Sequence, residues 1–140
     1  MTLYLDTSVI VPLFVTDPLN SSAEALLGTT RPLIEISDFA AAEFSSVVAA
    51  RVRARQLKFS EARAAFAEFD AWVERKAETV ELGRADLSAA TNLVRRLDLP
   101  LRTGDAVHIA IVQRTGATLA TFDRQMARAA RRLGLSVVTK

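Results

Sequence analysis

Thr2-Leu3-Tyr4-Leu5-Asp6-Thr7-Ser8, followed directly by the apolar run Val9 to Val15, is the stretch on which the fold turns. Apolar, strand-forming residues from Thr2 to Leu5 end at a carboxylate. Thr7 or Ser8 can then cap a helix whose buried face is the apolar run. Pro12 lies near the first turn of that helix, where a missing N–H is best tolerated. A short buried strand running straight into a helix is the first half of a βα unit, and the rest of the chain repeats the alternation.

Thr16-Asp17-Pro18 breaks the first helix, and a second passes through Ala23, Leu26 and Leu27 to stop at Gly28. Leu33 to Ile36 is the next strand. Ser37 caps a long helix carrying Phe39, Ala42, Glu43, Val47 and Ala50 at helical spacing. Ser60-Glu61-Ala62-Arg63 opens another helix, with Ala62, Phe66, Phe69 and Val73 as one apolar stripe. Thr79 to Leu82 reads as a third strand, and a helix through Leu87, Ala90, Leu93, Val94 and Leu97 ends before Pro100. Thr103 is placed to cap a helix from Asp105 to Arg114 that Gly116 closes. Ala117 to Phe122 is a fourth strand ending at Asp123; a basic helix runs to Leu133 and Gly134, and Leu135 to Thr139 is a fifth strand. This order predicts a single α/β domain over residues 1–140, with a central five-stranded parallel sheet flanked by helices on both faces.

Composition narrows the chemistry. A chain of 140 residues, half of them hydrophobic, is long enough for one substantial core, and 24 alanines favour closely packed helix. With no cysteine, thiolate catalysis, disulfides and cysteine-ligated zinc are excluded; His108 is the one histidine. No basic region precedes the first apolar stretch, and the run from Val9 to Val15 is too short to span a bilayer, so a soluble, cytoplasmic protein is expected. Net charge is only +2, but basic residues cluster at Arg51, Arg53, Arg55 and Lys58 and again at Arg124, Arg128, Arg131 and Arg132. Taken alone, each cluster reads as a solvated helix face.

Four acids stand out by position. Asp6 and Asp123 follow two strands, Glu43 lies about two turns into the helix after the second strand, and Asp105 opens the helix that leads to the fourth. In parallel α/β sheets, ligands bind beyond the carboxyl ends of the strands, where strand order reverses, so all four can converge there. Glu43 shares the apolar face of Phe39 and Val47, where a carboxylate needs a partner, and no lysine or arginine lies one helical turn away. Oxygen ligands without thiolates or several imidazoles suit magnesium or manganese better than zinc. Such ions support hydrolytic phosphoryl transfer.

The segments Leu3-Tyr4-Leu5-Asp6-Thr7-Ser8, Ser37 to Glu43, Thr103-Gly104-Asp105-Ala106-Val107-His108 and Thr121-Phe122-Asp123 resemble, in order and spacing, the four motifs of the PIN-domain family. The close of the chain, Ala129-Ala130 to Leu133-Gly134-Leu135-Ser136-Val137, is similar to that of VapC-type toxins. The resemblance implies a magnesium- or manganese-dependent endoribonuclease, the toxin of a toxin–antitoxin pair, with Asp6, Glu43, Asp105 and Asp123 as metal ligands. It implies that Thr7 or Ser8, and Thr121, orient those ligands or a water. Its implied partners are RNA, a small VapB-type antitoxin and a second copy of the chain, with no membrane. Gly104 departs from the pattern, since relatives often carry another small residue or proline there.

Arg102 is a candidate for phosphate or a nearby carboxylate, and Arg124 and Arg128 for the RNA backbone. His108 is read as a packing or hydrogen-bonding residue rather than a general base, and Trp72 as core or dimer surface rather than a base-stacking platform. Asp86, Asp98, Glu35 and Glu81 read as caps or surface. Other readings stay open: a PIN-fold nuclease in RNA processing or acting on DNA, and a non-catalytic PIN-like binding module. An aspartyl-phosphate enzyme is disfavoured, because Asp6-Thr7-Ser8 lacks a second acid two residues on and no lysine ends a later strand.

Overall fold

The computed structural model describes residues 1–28 and 31–140. Strand β1 (Thr2–Leu5) enters α1 (Thr7–Phe14) and α2 (Asn20–Leu27). Strand β2 (Leu33–Ser37) leads into the long helices α3 (Asp38–Arg53) and α4 (Phe59–Lys76), then β3 (Ala77–Val80) and α5 (Arg84–Arg95). Helix α6 (Thr103–Thr115), β4 (Thr118–Ala120), α7 (Arg124–Arg132) and β5 (Val137–Val138) complete the order.

The five strands form one sheet, all pairs parallel, in the order β3-β2-β1-β4-β5. The chain builds outward from β1 to β3, then returns to the other side of β1 with β4. Strand order therefore reverses between β1 and β4, which is where a parallel sheet opens a crevice at its carboxyl ends.

Strand alternation divides the core between the two faces. Leu3, Leu5, Ile34, Ile36 and Ala120 pack with Val9, Phe44, Val48 and Phe69 on one side. Tyr4 and Leu119 turn to the other, against Val107, Ile111 and Met126. On the first face Phe44 meets Phe69 at 4.5 Å between ring centroids, and Phe14 meets Trp72 edge-on at 5.6 Å. Trp72 is thus a packing residue. The stripe expected on α4 is buried at Ala62 and Phe69 and partly buried at Phe66 and Val73. On the second face, α6 is buried continuously from Asp105 to Val112, so it is a central helix rather than a surface one. Gly116 ends it in the left-handed conformation, φ 76°, as a glycine C-terminal residue does.

Several boundaries differ from those expected. Strand β3 begins two residues earlier, because α4 runs to Lys76 and Ala77 pairs at once with Ile34. It is an edge strand with Glu78 and Thr79 exposed, so an apolar run does not mark it. Strands β4 and β5 are shorter than their apolar stretches. Pro12 sits past the first turn of α1, inside the helix. Asp6, not Thr7 or Ser8, caps α1, its carboxylate accepting from the Val9 N–H at 3.3 Å. Helix α6 starts at Thr103, and Asp105 reaches back to accept from the Arg102 N–H at 3.1 Å, which removes the capping role from Thr103. Asp86 accepts from the Gly83 N–H, but it is buried, and Arg114 holds it bidentately at 2.8 and 2.9 Å.

Candidate metal and active site

Asp6 leaves the end of β1 at the point of strand reversal, its N–H donating to the Ala120 carbonyl of β4 at 3.2 Å. The side chain is 2 % exposed. Burial therefore pushes its carboxyl group above the usual carboxylate range, against the pull of its hydrogen bonds from Ser8, Thr121 and the Val9 N–H. Ser8 donates to Oδ1 at 2.6 Å and Thr121 to Oδ2 at 2.7 Å. Thr121 itself is fully buried behind the carboxylate and does not line the cavity in front of it. The Ser8 hydroxyl also accepts from the Phe122 N–H at 2.9 Å, joining the start of α1 to the end of β4.

Glu43 reaches the same cavity from α3. Its Oε1 accepts from Thr7 at 2.6 Å and from His108 Nε2 at 2.5 Å. Burial would raise this carboxyl group, but the hydrogen bonds from His108 and Thr7, with the nearby Arg102 charge, outweigh it and hold Glu43 below its ordinary value. The partner that its apolar helix face demanded is an imidazole from residue 108, out of sight of any local pattern.

His108 is held in turn from behind. Its Nδ1 lies 2.7 Å from the Tyr4 hydroxyl, which lies 2.8 Å from Ser37 Oγ, and that oxygen accepts from the Ala40 N–H at 2.9 Å. One assignment satisfies every group: Ser37 donates to Tyr4, Tyr4 to Nδ1, and the Nε2–H to Glu43. Burial keeps the Tyr4 phenol protonated by raising it far above its ordinary value. Sequence reasoning did not identify this chain. A signal was present: the one tyrosine stands in a strand buried on both faces, and a buried hydroxyl needs a partner.

Asp105 and Asp123 face each other across Arg102. Its guanidinium lies 3.5 Å from Asp105 Oδ2 and 3.7 Å from Asp123 Oδ2, with the side chain 80 % exposed. Asp123 Oδ1 caps α7 through the Met126 N–H at 3.0 Å. Arg124 and Arg128 are exposed on α7 and do not line the cavity.

Asp6, Thr7, Ser8, Glu43, Arg102, Asp105, His108 and Asp123 thus border one cavity of about 370 Å³. Glu43 Oε2 and Asp105 Oδ1 have no hydrogen-bond partner among the described residues, and Asp123 Oδ2 has only the distant Arg102. Each of these three acids therefore spends one oxygen on its own positioning and leaves the other to the cavity. Among the described residues no group of three or more acidic or histidine side chains is already drawn together closely enough to hold a metal ion. The donor set nonetheless fits a hard divalent cation: carboxylate oxygens, hydroxyls behind them, and room for retained water. Gly104 leaves space for this arrangement, since a Cβ there would lie 3.0 Å from Glu43 Oε2.

The PIN domain family matches residues 3–132. Ribonuclease VapC46 of Mycobacterium tuberculosis is 33% identical over 139 residues, covering 97% of this chain and 95% of that protein. Among solved structures, the Mycobacterium tuberculosis VapC20 toxin, described as cleaving the sarcin-ricin loop, superposes with a TM-score of 0.74 at 18% identity, covering 91% of this chain and 94% of its own. VapBC2 of Rickettsia felis, bound to a DNA fragment from its promoter, gives 0.71 at 17% identity, covering 99% and 98%. The fold, the order of its motifs and these likenesses together establish that the chain belongs to the PIN-domain family, among its VapC-type members.

Proposed function

We propose that the chain is a divalent-metal-dependent endoribonuclease and the toxin half of a toxin–antitoxin pair, using magnesium or manganese. The observation that carries this reading is the set of cavity-facing carboxylate oxygens on Glu43, Asp105 and Asp123 beside the buried Asp6. The name of its 33%-identical relative, a ribonuclease, supports RNA as substrate, and like folds determined as VapBC complexes support a partnered chain.

Asp6, Glu43, Asp105 and Asp123 would hold the ion, which when bound supplies the positive charge that activates water and steadies the phosphodiester oxygens. The other groups position. Ser8 and Thr121 fix the plane of Asp6 from both sides, and Thr7 and His108 fix Glu43 through Oε1, leaving Oε2 to the cavity. Arg102 is set to balance Asp105 and Asp123 before substrate arrives and to meet a phosphate once they are occupied. Arg124 and Arg128, on the helix that starts at Asp123, would add backbone attraction as RNA approaches.

Purified protein should cleave RNA with manganese or magnesium and stop when EDTA is added. Asp105→Asn should abolish cleavage in a protein that still melts cooperatively. Cleavage that persists in EDTA would overturn the mechanism. Inducing the chain alone should arrest growth, and co-expression of a cognate VapB-type antitoxin should relieve the arrest.

A further inference from the structure

The cavity does not end at the acids. It continues between α1 and α3, past Pro12, Leu19 and Val47, to Arg51. Glu43, Val47 and Arg51 recur at intervals of four along α3, so one helix face carries a carboxylate, an apolar side chain and a guanidinium in a row. At the helical rise, Arg51 lies about 12 Å from Glu43 along the axis. In the sequence Arg51 opens a basic cluster with Arg53, Arg55 and Lys58. The structure separates it from them: those three are exposed, whereas the Arg51 side chain is only 27 % exposed. Asp17 Oδ2 accepts from its guanidinium at 3.1 Å, and Asp17 Oδ1 accepts from the Leu19 N–H at 2.9 Å. Arg51 therefore borders the trough with one donor engaged by Asp17 and, among the described residues, no other hydrogen-bond partner for the rest of its fork.

We propose that this limb of the cavity is a nucleotide subsite for single-stranded RNA. One base lies against Pro12, Leu19 and Val47, and Arg51 takes the phosphate of a nucleotide beside the cleaved bond. The proposal rests on the ribonuclease reading of the acids. A strand that brings one phosphate to those carboxylates carries its next phosphates along the same trough. A guanidinium already fixed by Asp17 can engage one with little further ordering. The apolar wall suits a base face and does not depend on base identity. Asp17 also explains why an arginine stands so far inside the cavity without a substrate: its carboxylate pairs the charge and sets its direction.

The test measures cleavage of a labelled single-stranded oligoribonucleotide in manganese, below saturation, from 50 to 200 mM salt. Arg51→Gln should lower kcat/KM about tenfold and flatten its logarithmic salt dependence by about one ion, while Arg51→Lys restores the slope. In wild-type protein, removing the base at one position beside the cut should lower kcat/KM. In Val47→Asp that position-specific penalty should vanish. Melting curves establish that each variant is folded. Arg51→Gln with wild-type rate and salt slope would overturn the subsite and leave the ribonuclease reading standing, whereas failure of the wild type to cleave in any divalent metal overturns both. A variant that keeps its RNA kinetics but loses inhibition by a partner-derived peptide would make the trough a peptide groove, against the proposal.

Discussion

Replacing Gly104 by alanine should make the protein at least as stable and bind metal less well. The residue is second in α6 and has no need of glycine's backbone freedom, so alanine gains up to about 0.5 kcal/mol of helix propensity there, roughly half the interior value. Against this, the new Cβ meets Glu43 Oε2 at 3.0 Å and Phe39 Cζ at 3.9 Å. Phe39 is at ordinary contact distance, but Glu43 must yield by a few tenths of an ångström. Thr7 and His108 pin Oε1 at 2.6 and 2.5 Å, so the carboxylate pivots about that atom and carries Oε2 away from its place. Magnesium demands near-ideal octahedral distances, and disturbing the shell that orients a ligand commonly costs ten- to a hundredfold in affinity.

Calorimetric titration with magnesium and calcium, alongside thermal melting, separates the two effects. Magnesium affinity should fall about tenfold, calcium affinity less because calcium accepts looser geometry, and the melting temperature should hold or rise. RNA cleavage should fall with magnesium affinity. Wild-type magnesium binding in a folded Gly104→Ala protein would refute the reasoning, because Oε2 would then have no role that its position can disturb.

Two further predictions concern buried acids. Asp6→Asn keeps a good helix cap and removes a carboxylate that burial disfavours, so it should raise the melting temperature at pH 7 while abolishing metal binding; Asp6→Ala, which also loses the cap of α1, should be less stable than Asp6→Asn by about 1 kcal/mol. Asp86→Asn should cost about 1–3 kcal/mol at pH 7, because the hydrogen bonds from Arg114 hold the Asp86 carboxyl below its ordinary value and a bidentate, charge-assisted pair is lost. That contribution is present in full above the unfolded carboxyl value near 4 and disappears as pH falls through the lower folded value, so denaturant melts should show the gap closing only below about pH 4; a gap independent of pH would refute the assignment.

What could be read from the sequence, and what could not, follows the range of the forces involved. Strands buried on both faces must be apolar, so β1, β2 and β4 declare themselves, and so does the alternation that sets the parallel sheet. Edge strands carry half that constraint, and β3, with Glu78 and Thr79 in solvent, is misplaced by two residues. Positions of the acids are also local facts, since Asp6 and Asp123 must follow their strands wherever those strands end. Their orientation is not local. Thr7 and Ser8 look like helix caps until Glu43 and Asp6 claim their hydroxyls, and Asp6 then has to cap α1 itself. Glu43 looks partnerless because its partner arrives from a helix 65 residues later, steadied by a tyrosine from β1 and a serine from β2. The same distinction bears on Gly104. As a helix residue it reads as a weakness, and the carboxylate packed against it gives a glycine there a purpose. A local defect that the sequence alone registers as a departure is therefore the expected mark of a ligand being aimed from elsewhere in the fold.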